Sequence, residues 1–140
     1  ADVPPLAKES FDPALVDAPC SSTGVIRRHP DIKLLRRASD IPAFAATQRR
    51  ILETAFDLLK PGGRLVYCTC SVLPDENERV VSAFLADQPL CRAAAWPETL
   101  TRPPGLHDRG VGWQLLPGGG AGTDGFYYAC LAKNADTARP

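Results

Sequence analysis

The sequence predicts an open α/β sheet in which parallel strands are followed by an antiparallel hairpin. Three observations point there. Two apolar runs, residues 14–16 and 64–70, have the length of strands and are separated by a segment of helical periodicity. Strands joined through a helix are expected to lie parallel and adjacent, with a right-handed crossover. Two later apolar runs, 113–116 and 126–132, are joined by a glycine-rich link and read as an antiparallel pair.

The elements follow in order. The first strand must stop by Pro19, because proline cannot continue a central ladder, and Ser21 to Gly24 then turn the chain. Residues 27–37 carry five positive charges against one negative, and Pro30 and Pro42 limit how much of this stretch is one helix. From 43 to 60, Phe44, Ile51, Leu52, Ala55, Leu58 and Leu59 fall at helical spacing, and Pro61-Gly62-Gly63 stops the helix. The second strand ends in Thr69-Cys70-Ser71. Ser71 or Pro74 is expected to open the next helix, with Asp75, Glu76 and Glu78 in its first turn complementing the dipole and Pro89 closing it. Residues 90–112 give no clear pattern. The link 117–125 reads as a loop and the tail 134–140 as frayed.

Composition narrows the function classes. The chain has 140 residues, enough to bury roughly 68% of its unfolded surface. Sixteen basic residues balance sixteen acidic ones, which excludes a uniformly basic nucleic-acid binder but not a local basic patch. No run approaches the ~18 apolar residues of a membrane span. Residues 1–10 lack the pattern of a secretory signal. The five cysteines are odd in number and lack zinc-type spacing, which suits reduced thiols in the cytoplasm. There is no methionine, which predicts a piece of a longer chain.

The chemistry is expected at the carboxyl ends of the parallel strands, where open sheets bind ligands. Cys20 and Cys70 both lie there, on strands about 4.8 Å apart, and could face one substrate. A helix opening after Cys70 would lower its thiol pKa. The plain alternative is that both are core filler, the reading given to Cys68, Cys91 and Cys130. Asp17 either caps the following turn through the Ser21 or Ser22 amides or meets a ligand. Pro61-Gly62-Gly63 is no phosphate loop, since it follows a helix and precedes a strand. His29 and His107 are isolated, and no metal set can be assembled. The basic segment is either a solvated face or a set of phosphate contacts beside a nucleophile.

Asp17-Ala18-Pro19-Cys20-Ser21-Ser22-Thr23-Gly24, with Thr69-Cys70-Ser71 and Glu76-Asn77-Glu78, resembles the RNA cytosine-5 methyltransferases of the Nol1/Nop2/Sun family. The stretch from Gly24 to Lys33 is most similar to bacterial members acting on small-subunit (16S) ribosomal RNA. Asp124-Gly125-Phe126-Tyr127-Tyr128 resembles the family's last motif, so the likeness spans about residues 11–133. It implies that Cys70 attacks C6 of a cytosine, that Cys20 assists removal of the C5 proton and release, and that S-adenosyl-L-methionine is the methyl donor. It further implies that Asp17 lies near cofactor and base, and that the Pro19 carbonyl accepts from the exocyclic amine. Arg27, Arg28 and Lys33 become candidate RNA contacts. The implied fold is a Rossmann-like methyltransferase sheet, of which residues 1–133 form the C-terminal portion of the catalytic domain. The family's glycine-rich loop and acidic cofactor residues would precede Asp17, so this chain alone is expected to be inactive and to self-associate through the exposed edge of its first strand. A transfer-RNA methyltransferase and a noncatalytic RNA-binding or assembly module are the competing readings.

Overall fold

A computed structural model describes residues 6–119 and 122–135, so the expected frayed tail lies mostly outside the described residues, as do two positions of the glycine-rich loop. The chain forms β1 (Ala14–Asp17), α1 (Ile32–Leu35), α2 (Ile41–Leu58), β2 (Arg64–Thr69), α3 (Glu78–Asp87), β3 (Cys91–Ala93), β4 (Leu106–Asp108), β5 (Trp113–Leu115) and β6 (Phe126–Lys133). One six-stranded sheet runs in the order β1-β2-β6-β5-β4, and β3 joins β6 beside it. β1 and β2 are parallel, with Val16 beside Tyr67 and Asp17 beside Cys68. β6 runs antiparallel to β2 and forms the antiparallel pair with β5. Strands β3 and β4 occupy the region whose sequence shows no pattern; three-residue strands are too short to display a period.

The sheet has two unlike faces. Val16, Leu65, Tyr67, Tyr127, Ala129 and Leu131 point to the face packed by α2 and α3, where Leu52, Phe56, Val81 and Phe84 complete the core. Phe56 and Phe84 meet edge to face with ring centroids 5.4 Å apart, a geometry worth about 0.5–1.5 kcal/mol beyond area burial. The alternate residues Leu15, Val66, Cys68, Tyr128 and Cys130 point to the other face, as the period of two requires. Cys68 and Cys130 are half-buried there, so the core reading holds for Cys91 and fails for these two.

Helix α2 begins two residues earlier than its apolar pattern suggests, because Pro42 in the first turn needs no intrahelical partner for its missing N–H. Leu59 is already extended, and the following turn has Gly62 at φ +79°, a conformation that disfavours other residues. The Gly62 N–H donates to the Lys133 carbonyl (3.1 Å), and the Lys133 N–H donates to the Gly63 carbonyl (2.9 Å). These bonds anchor the entrance to β2 against the end of β6 and so help set the register that places Cys70.

Candidate active site

Because β1 and β2 are parallel, both carboxyl ends emerge at one rim of the sheet. The ladder extends one step beyond β1 through the Ala18 N–H to the Cys68 carbonyl (2.9 Å). The Gly24 N–H then donates to the Cys70 carbonyl (2.8 Å), folding the Cys20 loop over the Cys70 loop. Gly24 must be glycine here, since a Cβ would overlap the Gly125 and Cys70 carbonyls. The Gly125 N–H in turn donates to the Gly24 carbonyl (2.8 Å), fastening the start of β6 to the same rim.

These constraints bring Cys20 Sγ to 3.4 Å from Cys70 Sγ, across fifty residues of sequence. Cys20 is buried and Cys70 half-buried. Burial disfavours a thiolate, so the proton belongs on Cys20 and the negative charge on Cys70. The hydrogen bond from Cys20 holds the Cys70 thiol down at about 6, aided by the Ser22 side chain and opposed by partial burial. The same hydrogen bond and then burial push Cys20 far above the ordinary range. A helix dipole is not the source. The expected helix at Ser71 or Pro74 is instead a 3-10 turn at Pro74–Glu76, and α3 opens only at Glu78. Among the described residues, Cys70 is the one cysteine whose thiol is lowered; Cys68 and Cys91 are each pushed up to about 11, chiefly by burial.

Asp17 does not cap the following turn. Its exposed carboxylate receives a long contact from Cys68 Sγ at 3.7 Å, and the Ser21 amide goes to Glu76 instead. The Pro19 carbonyl already accepts from Gln48 Nε2 (3.0 Å), leaving one lone pair. The basic segment divides. Arg27 donates to the Gly122 carbonyl (2.8 Å), and Arg28 pairs with Asp124 (2.6 Å). Arg36 donates to the Ser21 carbonyl (2.9 Å) and lies over the Phe44 ring. Lys33 has no ion pair among the described residues and, with Thr23, Arg27 and Pro117, borders an open cleft of ≈ 510 Å³ beside the Cys20 loop. Among the described residues no group of His, Cys, Asp and Glu could hold a metal ion.

Behind the cysteines lies a buried polar cluster that the sequence reading did not identify. Glu76 is fully buried rather than solvent-facing in a helix turn, and Ser21, Ser71, Gln48 and Asn77 are buried with it. Asn77 accepts from Thr69 Oγ1 (2.6 Å) and donates to the Ser71 carbonyl and Gln114 Oε1 (both 2.9 Å), tying the end of β2 to β5. A signal for Gln48 exists in the sequence. It falls at the spacing of Phe44, Ile51, Leu52 and Ala55, on the inward stripe of α2, where a polar residue needs a partner.

Two relatives named Ribosomal RNA small subunit methyltransferase B match the chain closely. The one from Shewanella oneidensis is 53% identical over 125 residues, covering 89% of this chain and 28% of the relative. The one from Vibrio cholerae is 54% identical over 125 residues, covering 89% and 26%. The chain thus spans about a quarter of the length of the curated relatives it matches. Among solved structures, PH0851 superposes with TM-score 0.79 at 36% identity, covering 90% of this chain and 27% of that one. NSun6 from Pyrococcus horikoshii, solved with SFG, gives TM-score 0.69 at 30% identity, covering 87% and 30%. With the family model for the 16S rRNA methyltransferase RsmB/F matching residues 3–132, this chain belongs to that methyltransferase family.

Proposed function

We propose that the protein to which these residues belong methylates C5 of a cytosine in small-subunit (16S) ribosomal RNA, through a covalent adduct on Cys70. The observation that carries this reading is the sulfur pair. Two thiols 3.4 Å apart at the carboxyl ends of parallel strands, one lowered to about 6 and the other raised, suit a nucleophile and an assisting group. The names of the relatives support the choice of ribosomal RNA.

Cys70 thiolate adds to C6 of the cytosine. The C–S bond forms, the C5–C6 electron pair is released into the ring, and C5 becomes nucleophilic. When bound, S-adenosyl-L-methionine supplies an electrophilic methyl group to C5. Asp17 hydrogen-bonds the cytosine edge at N3 as negative charge develops on the ring. The remaining lone pair of the Pro19 carbonyl accepts from the exocyclic amine. Cys20 assists transfer of the C5 proton to water, and the electron pair of that C–H bond re-forms the C5–C6 double bond as Cys70 leaves as a thiolate. The target base must be unstacked to reach sulfurs recessed at the rim.

The residues present suit one side of the cofactor. A groove of ≈ 540 Å³ between the edge of β1 and α2 is lined by Leu15, Ile51, Ala55 and Leu58, with Asp17 and Arg50 as its charged groups and Thr47 and Thr54 beside them, offering a largely apolar wall with one carboxylate and one guanidinium. Asp17 is the residue of this chain that would hold it. A relative solved with SFG, an S-adenosylmethionine analogue, supports S-adenosyl-L-methionine as the cofactor. Lys33 and, less freely, Arg27 and Arg28 would meet RNA phosphates.

The test uses the full-length protein, S-adenosyl-L-methionine and RNA containing 5-fluorocytosine. A covalent complex should form on Cys70 and vanish in Cys70→Ser. Cys20→Ser should accumulate an adduct with ordinary RNA. Methylation surviving in Cys70→Ser would overturn the assignment.

A further inference from the structure

The two sulfurs come from separate loops, and the contact between them is too weak to hold those loops in place. Directly behind them, Glu76 receives four hydrogen bonds. Its Oε1 accepts from the Ser21 N–H (2.8 Å) and Gln48 Nε2 (3.1 Å). Its Oε2 accepts from Ser21 Oγ (2.5 Å) and Ser71 Oγ (2.6 Å). Ser21 and Ser71 each directly follow one of the two cysteines. The carboxyl is fully buried, and no basic side chain pairs with it among the described residues. Its own backbone is fastened separately, by Tyr67 Oη donating to the Glu76 carbonyl (2.8 Å).

A buried carboxylate without a cation is costly, and it persists only where hydrogen bonds replace its hydration. Here every donor but Gln48 belongs to a cysteine loop, so that cost is offset by interactions that fix the loops relative to each other. An amide cannot substitute fully. It offers one acceptor oxygen, and its NH₂ would oppose either the Ser21 N–H and Gln48 amide, which cannot reverse, or the two hydroxyls, which can.

We propose that Glu76 is a positioning residue of this site, acting through Ser21 and Ser71, beside the backbone bonds of Gly24, to hold Cys20 Sγ within hydrogen-bonding distance of Cys70 Sγ. Its importance for methyl transfer rests on the proposed function; the clasp itself does not. Cys20, Ser22, Asp17 and Cys68 are the groups that face Cys70, and of these Cys20 has the largest influence on its thiol. If the clasp loosens, that influence is lost first.

The experiment measures the pH dependence of Cys70 modification by a small disulfide in this chain. Glu76→Gln should retain the fold by circular dichroism but move half-maximal reactivity from about 6 upward by at least one pH unit. Ser71→Ala, which removes one hydroxyl and leaves the carboxyl, is the second variant and should move it in the same direction by less. An unshifted profile in a folded Glu76→Gln, or in Ser71→Ala if Glu76→Gln does not fold, would overturn the clasp. In the full-length enzyme Glu76→Gln should lower kcat at least tenfold with KM for RNA little changed, and Glu76→Asp should restore part of it. A shifted profile together with methylation that survives Cys70→Ser would keep the clasp and reject the proposed reaction.

Discussion

The pairing of Cys20 with Cys70 makes a quantitative prediction about thiol reactivity. At pH 6.5 a thiol titrating at about 6 is roughly three-quarters thiolate, against about 1% for an ordinary thiol near 8.5. Lower basicity reduces intrinsic nucleophilicity, and a Brønsted slope of about 0.45 makes such a thiolate about 13-fold slower. The two effects leave Cys70 about sixfold faster than an ordinary thiol at pH 6.5 and about tenfold slower at pH 9. The rate should therefore rise through pH 6 and be flat above about 7.5. In Cys20→Ala the principal cause of the lowering is gone, so the curve should move toward 8.5. The assay is the initial rate of reaction with a small symmetrical disulfide, acid-quenched and mapped by mass spectrometry. Mixed disulfide on Cys70 and the Cys20–Cys70 disulfide that follows from it count together. A midpoint at 8 or above in the unsubstituted chain, or first reaction at Cys68, would refute the reasoning. The sign for stability follows from the same shift. Cys70 contributes fully above the ordinary thiol range, and that contribution is lost as pH falls through about 6, while raised Cys20 opposes it above its unfolded pKa.

Three further outcomes are expected. Gly24→Ala forces a Cβ against the Gly125 and Cys70 carbonyls and should cost about 1–3 kcal/mol in urea denaturation; a loss below about 0.5 would show that the loops can part freely. In the full-length protein, Lys33→Ala should reduce the salt dependence of RNA binding by about one phosphate contact, and Arg28→Ala by less, because Arg28 is held by Asp124; the reverse ranking in a salt titration would remove Lys33 from the interface. The outer edge of β1 pairs with no strand among the described residues, and Leu15 beside it is 72% exposed, so this chain should self-associate as concentration rises and Leu15→Lys should suppress it in light scattering. A monodisperse monomer with exchange-protected β1 amides would argue against that edge.

Much of the architecture is legible in the residues because it rests on local periodicity. The apolar stripe of α2, the turn at Pro61-Gly62-Gly63 and the glycine-rich link before β6 are short-range signals, and parallel pairing follows from a helix between two strands. The cysteines at the strand ends are legible in the same way, since parallel neighbours must present their carboxyl ends together. What the residues could not show is which way each side chain turns and what it meets. Cys68 and Cys70 share a strand face by alternation, yet only Cys70 reaches Cys20, because the ladder carries the β1 chain one residue past Asp17 before it turns. Glu76 sits among Asp75 and Glu78 in an acidic stretch, and nothing local marks it as the member that is buried. Its burial is decided by four donors from three segments, two of them distant in sequence, a cooperative arrangement that exists only when those segments are packed together. By itself the sequence determined the main strands and helices and their order and pointed to the two sulfurs, because those depend on short-range propensity and on chain connectivity. The tertiary structure alone decided which sulfur holds the proton and what keeps the pair in place, because protonation depends on burial and hydrogen bonds made across fifty residues.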